Sequence, residues 1–553
     1  MPVNIPGLIS VLVFYLVILA VGIWASRKSQ IEEKKCPGNR SEISMVGGRN
    51  MNIVTGIFTM TATWVGGGYV IGTAEAVYVP TLGLIWALGP LAYVINFIVG
   101  GTFFAKPMRE KNFVTMMDPF QIKYGNAVSS LFLIPAFIGD LLWVACILGG
   151  LGGTMSVILD MSSMHSVFIS TGVAILYTLL GGLYSVAYTD VIQLIFMAIS
   201  LAVCVPFVLM NPASSGITFT ATHELFQAPW LGKLELRDLG KWIDDLLLLS
   251  IGGLCYQAFF QRILAAASPS HSQIMCYAAA VFSASMGIPS VLIGAVAAST
   301  DWNQTSYGLP TPFEKGEGGK ILPIALQHLC PPFVSIIGIG AIAAAVMSSV
   351  DSAMLSSASL FGRNIYKSIL RKQASENEVV WVIRASVLVI GLSGMGLSFV
   401  SDSVYAFWLI SGDVIYTVIF AQLVCVLYFP SSNAYGALAG FVMGSTLRFL
   451  GGDHILKITP IIHFPYCRLI DGVYVQYFPF RTLAVLVSFI TILSVSCLAS
   501  LLFNRGLLSE KWDVFKVKPQ TDGTNKRKTE EMCLDDGKPV ALEMSPLERT
   551  VNK

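Results

Sequence analysis

Charge is what this 553-residue chain has least of. Asp, Glu, Lys and Arg together make up 12% of it, where a soluble globular chain carries roughly 25%. An excess of either sign is missing too. The 35 Lys+Arg against 33 Asp+Glu leave a formal net charge of +2, which gives no basic footprint and excludes nucleic acid as a partner. Metal-ligand spacing is absent. The ten cysteines stand at Cys36, Cys146, Cys204, Cys255, Cys276, Cys330, Cys425, Cys467, Cys497 and Cys533, with no C-x-x-C and no Cys/His ligand pattern, so neither a zinc site nor a disulfide framework is expected. Cys330 and Cys467 read as buried, unpaired thiols, with pairing at the outer face as the alternative. H-E-x-x-H, G-x-S-x-G and a phosphate loop are missing from any suitable context. That argues against an enzyme, and no cofactor is expected.

What the chain has in quantity is apolar residues, 54% of the total. Crossing about 30 Å of hydrocarbon takes roughly 20 mostly apolar residues in a helix. Spans are expected at approximately 5–26, 48–78, 81–104, 127–158, 165–184, 188–210, 242–266, 273–298, 321–362, 379–400, 403–429, 433–451 and 479–503. The sequence thus predicts an all-α integral membrane protein with thirteen transmembrane helices over 1–503. The start, Met-Pro-Val-Asn-Ile-Pro, lacks a basic n-region and a small-residue cleavage site, so the first span reads as retained. After residue 504 the composition turns to Lys528, Glu530, Glu531, Asp535, Asp536 and Lys538. Such a segment buries too little apolar area to offset its ordering entropy, and 504–553 reads as a disordered tail.

Lys and Arg set the orientation. Arg27, Lys28, Lys34 and Lys35 follow the first span, Lys106, Arg109, Lys111 and Lys123 the third, and Arg363, Lys367, Arg371 and Lys372 the ninth. All fall on one side. Taken as cytoplasmic, that side puts the N-terminus outside, the C-terminus inside, and the loops at 211–241, 299–320 and 452–478 outside. Asn303, in Asn303-Gln304-Thr305, is then a glycosylation acceptor, whereas Asn39 stays unmodified.

Irregular backbone within a bilayer survives only where it is buried in protein or lines a cavity. Gly66-Gly67-Gly68 interrupts the second span and Gly252-Gly253 the seventh. Glycine also serves close helix packing. The five-span separation favours two inverted repeats, about 48–210 and 242–429, each opening with a broken helix. Buried ionisable residues are the second signal, because each costs roughly 2.5–3.5 kcal/mol at the bilayer centre. Asp351 follows Ser348-Ser349 in a small, hydroxyl-rich stretch whose oxygens suit a hard cation such as Na⁺. The alternative is a packing face in which Asp351 pairs with an arginine. Glu75 and Asp140 also lie within spans, and Arg262 and Arg384 are candidate partners. Asp190, Asp244 and Asp245 sit near helix starts, where the helix dipole accounts for them. Trp64, Trp143, Tyr256 and Trp408 form the third signal. Each has an interfacial or packing alternative, but two flank the breaks, and aromatic faces bind quaternary ammonium ions. Asp118, Trp230 and Trp302 fall in loops and receive no substrate role.

Long strings now carry a resemblance. Phe58-Thr-Met-Thr-Ala-Thr-Trp-Val-Gly-Gly-Gly-Tyr69, Gly72-Thr-Ala-Glu-Ala-Val-Tyr-Val-Pro80, Phe103-Phe-Ala-Lys-Pro-Met-Arg109, Tyr184-Ser-Val-Ala-Tyr-Thr-Asp190, Ser299-Thr-Asp-Trp-Asn-Gln-Thr305, Ala345-Val-Met-Ser-Ser349 and Arg363-Asn-Ile-Tyr366 resemble the sodium/solute symporter family in its choline-transporting branch. The resemblance runs from about residue 8 to 516. It implies a leucine-transporter-like 5+5 inverted-repeat core and sodium-coupled, chloride-dependent choline uptake across the plasma membrane, with synaptic and vesicle membranes as further locations. It also implies a supply of choline for acetylcholine synthesis. By position, the implied aromatic cage falls on Trp64, Trp143, Tyr256 and Trp408, with Tyr93 a further substrate-binding candidate. The implied sodium site falls on Gly56, Thr59, Ala345, Ser348 and Ser349, with Asp351 adjacent.

The chain departs from that pattern at Ile71 and Leu88, where the family has Asn and Gln, and at Cys255 and Ala421, where it has Pro. Asp140 replaces Glu, Tyr256 replaces Trp, and Leu507-Leu508 stands too near the membrane to serve as an endocytic signal. Two rival functions remain: a sodium symporter for another organic solute, and a transport-dead choline-binding receptor. A sugar site needs several polar groups, which Ile71 and Leu88 do not supply.

Overall fold

The computed structural model describes residues 5–33, 39–159, 161–179, 182–400, 403–453, 455–470 and 472–518. Lys34, Lys35, Cys36, Cys533 and the tail from 519 lie outside the described residues. The main helices are α1 (Ile5–Glu33), α2 (Ile53–Trp64), α3 (Gly67–Tyr78), α4 (Gly89–Val99), α5 (Asp118–Leu159), α6 (Ser163–Thr178), α7 (Leu183–Leu209), α8 (Leu239–Gly252), α9 (Gln257–Ala265), α10 (Pro269–Ala298), α11 (Ile321–Leu329), α12 (Pro332–Leu360), α13 (Glu376–Leu397), α14 (Val404–Tyr428), α15 (Ala434–Leu450) and α16 (Phe480–Asn504). The chain divides into two compact units, Met1–Ser496 and Cys497–Lys553. The features below, except the tail, belong to the first.

By length and composition, eight described helices can cross a membrane, or nine if the bent pair Leu236–Cys255 and Gln257–Ala265 counts as one span. Thirteen were expected from the sequence. The difference has physical sources. The second span is two helices of 12 residues each, and about 18 Å of helix does not cross 30 Å of hydrocarbon alone. The fifth and twelfth are helices of 16 and 17 residues, α6 and α15, short of the roughly 20 that a crossing takes, whereas the ninth keeps its span in Pro332–Leu370 and loses only α11, which ends before the prolines that open α12. Among the described residues the regular structure is helical except for a hairpin in the 452–478 loop, where Arg468–Ile470 (β1) pairs antiparallel with Val473–Val475 (β2). In the second unit, turns continue past 504: Glu510–Trp512 is helical and Asp513 accepts from the Lys518 amide at 2.9 Å.

Both expected breaks are present. α2 ends at Trp64 and α3 begins at Gly67, with Gly66 extended between them. α8 and α9 meet through Gly253–Cys255 at a 49° bend. Gly66 has no alternative, because a Cβ there would fall on the Ser349 hydroxyl of α12, and one on Gly67 would come 2.8 Å from Val346 Cγ2. On the side carrying the basic loops, the Met51 amide donates to the Ala265 carbonyl at 3.0 Å, Gln261 Nε2 to the Met45 carbonyl at 2.8 Å, and Arg109 Nε to the Ala266 carbonyl at 2.7 Å. The chain leading into one broken helix is thereby tied to the end of the other. At the opposite end, the Leu84 amide donates to Trp230 O at 2.7 Å, Trp242 Nε1 to Ile85 O at 2.7 Å and Tyr405 Oη to Trp86 O at 2.8 Å.

Asp244 and Asp245 are more than dipole partners. Asp244 accepts from the Thr482 amide and hydroxyl at 2.8 and 2.6 Å, and Asp245 pairs with Lys241 at 2.5 Å and Arg481 at 2.9 Å. Asp413 joins Arg481 and Arg448, and Arg448 reaches Asp453 at 2.6 Å. Buried charge demands this pairing, and the network fastens α8 to α14, α15 and α16. Trp302 is buried against Tyr307, with ring centroids 5.4 Å apart, and Asn303 beside it is exposed. Cys330 and Cys467 are both free thiols, the first lying 4.0 Å from the Cys204 carbonyl.

Overpacking at the first break predicts that Gly66→Ala lowers the melting temperature of the detergent-solubilised protein by the equivalent of about 1–3 kcal/mol. Gly172→Ala, inside α6 where a Cβ meets nothing within 4 Å, does not lower it, since Ala is the better helix former. Thermal unfolding of the two variants side by side is the check.

Candidate functional site

A helix that ends inside the protein leaves its last carbonyls without intrahelical partners. In α2 the Thr61 carbonyl is taken by the Val65 amide at 2.8 Å. The next two are met by α12: Ser348 Oγ donates to Ala62 O at 3.1 Å and Ser349 Oγ to Thr63 O at 2.9 Å. Ser348 Oγ is also 2.9 Å from the Ala345 carbonyl. Five oxygens thus converge beside the break, three from carbonyls and two from hydroxyls. That donor set suits a hard monovalent cation.

Of the six residues assigned to sodium, the structure brings together Ala345, Ser348 and Ser349. Gly56 and Thr59 stand elsewhere. A Cβ on Gly56 would meet the side chain of Met275 at 2.6 Å, and Thr59 Oγ1 donates to Asp190 Oδ2 at 2.5 Å. The reason is helical: both lie inside α2, the Thr59 carbonyl accepting from Thr63 Oγ1 at 2.7 Å, whereas the break exposes carbonyls only in the last turn. The α2 carbonyls that meet Ser348 and Ser349 are those of Ala62 and Thr63. Asp351 is fully buried and accepts from the Ser352 amide at 2.7 Å.

Arg262 itself is fully buried. Its Nη2 lies 3.7 Å from Asp190 Oδ2 and donates to the Ser352 hydroxyl, while Nη1 reaches Gln261 Oε1 at 3.1 Å. Asp190, given only a helix-start role from the sequence, is therefore the counter-charge that joins α7 to α2 and α9. Its full burial could not be read from its place near a span end. Arg384 partners none of the buried acids named here and lies 5.3 Å over the Trp381 ring. Asp140 accepts from the Ser357 hydroxyl. Glu75 caps the start of α14, accepting from Ser403 Oγ at 2.6 Å and the Tyr405 amide at 3.0 Å.

The five aromatic candidates meet in one continuous chain of rings. Centroids are 4.9 Å apart for Tyr256 and Trp143, 5.8 Å for Trp143 and Trp64, 6.5 Å for Trp64 and Tyr93, and 5.4 Å for Tyr93 and Trp408. All five are buried. Trp408 Nε1 donates to Tyr93 Oη at 3.0 Å, fixing both rings. Three aromatics the sequence reading passed over join them: Tyr69 stacks on Tyr93 at 5.1 Å, and Phe97 and Phe259 lie 6.0 and 5.8 Å from Trp64. Tyr69 carried a signal in its place directly after the glycine triplet, and Phe97 in its place four residues after Tyr93. Ile71 and Leu88 are both buried and apolar, and among the described residues no cluster of three His, Cys, Asp or Glu side chains could hold a metal.

Comparison with known proteins supplies the lineage. Residues 45–444 match the model of the sodium:solute symporter family. The chain belongs to that family. Among similar proteins, "High affinity choline transporter 1" of Homo sapiens is 50% identical over 516 residues, covering 93% of this chain and 89% of that one. The protein named "High-affinity choline transporter 1" from Torpedo marmorata is 49% identical over 518 residues, with the same coverage of 93% and 89%. The Drosophila melanogaster protein of that name is 44% identical, covering 93% of this chain and 81% of that one. A solved structure of a Na⁺-coupled sialic acid symporter in a substrate-bound outward-open state shares the fold, with TM-score 0.70, 16% identity, and coverage of 89% of this chain and 98% of that one. This symporter is thus a multi-pass membrane transporter.

Removing one member of a fully buried charge pair costs about 3–5 kcal/mol because the other is left uncompensated. Asp190→Asn or Arg262→Met alone is therefore expected to destabilise the solubilised symporter strongly. The Asp190→Leu/Arg262→Met double variant recovers part of the loss, and thermal unfolding of all three is the measurement.

Proposed function

We propose that this chain carries choline into the cell together with Na⁺ by alternating access. One observation carries the reading: the helix break that exposes the Ala62 and Thr63 carbonyls to Ser348 and Ser349 also places Trp64, at the end of the same helix, in the ring of Trp143, Tyr256, Tyr93 and Trp408. A cation site and an aromatic enclosure share one hinge. Cation–π attraction contributes about 0.5–2 kcal/mol per ring, so several rings hold a quaternary ammonium ion without an acid. In this reading Na⁺ takes the oxygens of Ala62, Thr63, Ala345, Ser348 and Ser349 and holds α2 against α12, and Asp351 and Arg262 balance charge behind it.

Release inward requires parting of the contacts Met51 to Ala265, Gln261 to Met45 and Arg109 to Ala266. Substrate and ion are both cations, and each inward charge gains about 2.3 kcal/mol per 100 mV of membrane potential. The finer architecture belongs to the same proposal: thirteen spans in a 5+5 inverted-repeat core, an outside N-terminus, a cytoplasmic tail, and glycosylation at Asn303, whose exposure supports it. Chloride dependence, plasma-membrane residence and a supply role for acetylcholine synthesis rest on similarity to the choline transporters.

Radiolabelled choline uptake in cells expressing the chain is expected to be saturable and to vanish when external Na⁺ is replaced by an inert cation. No uptake by surface-expressed protein would overturn the choline reading. Ser349→Ala, which removes one cation ligand, is expected to raise the Na⁺ concentration for half-maximal uptake by roughly tenfold, the scale of one charge-assisted contact. Trp408→Ala is expected to raise the apparent KM for choline more than it lowers surface expression.

A further inference from the structure

We propose that Cys204 and Cys330 are a dithiol that closes to a disulfide, tying the end of α7 to the junction of α11 and α12. The pairing does not depend on which solute the site carries.

The two residues are 126 positions apart in sequence and meet in the fold. Cys204 lies in the last two turns of α7. Its Sγ donates to the Val334 carbonyl in the first turn of α12 at 3.6 Å, and a Cβ on Gly338, one turn further along, would stand 2.6 Å from that sulfur. Glycine at 338 therefore leaves the room in which the thiol sits. Cys330 ends α11 in extended backbone, directly before the prolines that open α12. Its Sγ is 4.0 Å from the Cys204 carbonyl and in hydrogen-bonding contact with the Cys204 thiol. Asn211 Nδ2 donates to the Leu329 carbonyl at 3.0 Å, a second link between the same two segments. A disulfide forms only where the fold has already brought both backbones this near.

Position supplies the oxidant. Disulfides persist on the oxidising outer face of a cell and are rare in the cytosol. The end of α7 that carries Cys204 runs into the 211–241 loop, which lies outside in the proposed orientation. There the Ala213 carbonyl accepts from the Asp301 amide at 2.9 Å, two residues before the exposed Asn303. Cys330 is the reachable thiol, 9% exposed against 0% for Cys204, and the chain surfaces directly after it at Pro331, Pro332 and Phe333. With a small disulfide such as oxidised glutathione, the Cys330 thiolate attacks one sulfur, the glutathione S–S bond breaks, and one glutathione thiolate leaves. The Cys204 thiolate then attacks Cys330 Sγ in the mixed disulfide and releases the second. Both thiol protons end on the released glutathione, and two electrons pass to it from the protein. The new bond closes a loop that contains α8, α9 and α10, and so removes freedom from the unfolded chain.

The test uses the full chain purified in detergent, incubated with oxidised glutathione, alkylated with N-ethylmaleimide, digested without reductant and read by mass spectrometry. A peptide linked through Cys204 and Cys330 is expected, and is lost when dithiothreitol precedes alkylation. The oxidised protein is expected to melt about 3 °C or more above the reduced one, and Cys204→Ser is expected to remove that difference. Recovery of both cysteines as maleimide adducts after oxidation overturns the proposal. So does a peptide linking Cys330 to Cys467. Both peptide readings come from wild type, so they stand even if Cys204→Ser does not fold.

Discussion

The break between Trp64 and Gly67 is the constraint on which the rest depends. A hydrocarbon surround offers no water to free carbonyls, so a helix stopped there must have its last acceptors met by protein or by an ion. Ser348 and Ser349 meet those of Ala62 and Thr63. They can do so only because Gly66 has no side chain to occupy the space of the Ser349 hydroxyl. Glycine at the hinge, serines on the facing helix and the direction of α3 form one interdependent arrangement. It leaves oxygen atoms of the type a sodium ion coordinates at the point where the helix can flex.

Charge is handled by the same economy of scarce groups. A chain with 12% charged residues places several of them in full burial, each with a stated partner. Asp190 and Arg262 face each other between α7 and α9, and Asp244, Asp245, Asp413, Arg448 and Arg481 form a network at the other end of the bundle. Such pairs add little net stability over apolar packing, yet breaking one is expensive. Their effect is to fix which helices stay together. The second network holds α8 to α14, α15 and α16 and leaves α9, beyond the break, to its own contacts with Met45 and Met51.

In the proposed choline reading the chain of aromatic rings carries recognition. Rings attract a cationic head with tolerance for its size, since cation–π attraction is graded with distance.

The sequence by itself determined the class of the protein. Its scarce charge and long apolar runs require a helical membrane protein, and the glycines at 66–68 and 252–253 mark both breaks because bilayer physics penalises irregular backbone. The aromatic set Trp64, Trp143, Tyr256, Trp408 and Tyr93 and the serines 348 and 349 were legible from residue type and resemblance. Tertiary structure decided the partnerships. Whether Gly56 and Thr59 or Ala62 and Thr63 present carbonyls depends on where α2 stops, beside Ser349, which is 286 residues from Thr63 in sequence. Asp190, Asp244 and Asp245 looked like helix-dipole residues because a linear sequence carries no burial, and only their arginine partners revealed them as structural charges. Asn96 was invisible for the same reason: an asparagine in an apolar span has meaning only once its burial and its bond to the Ser250 carbonyl are known.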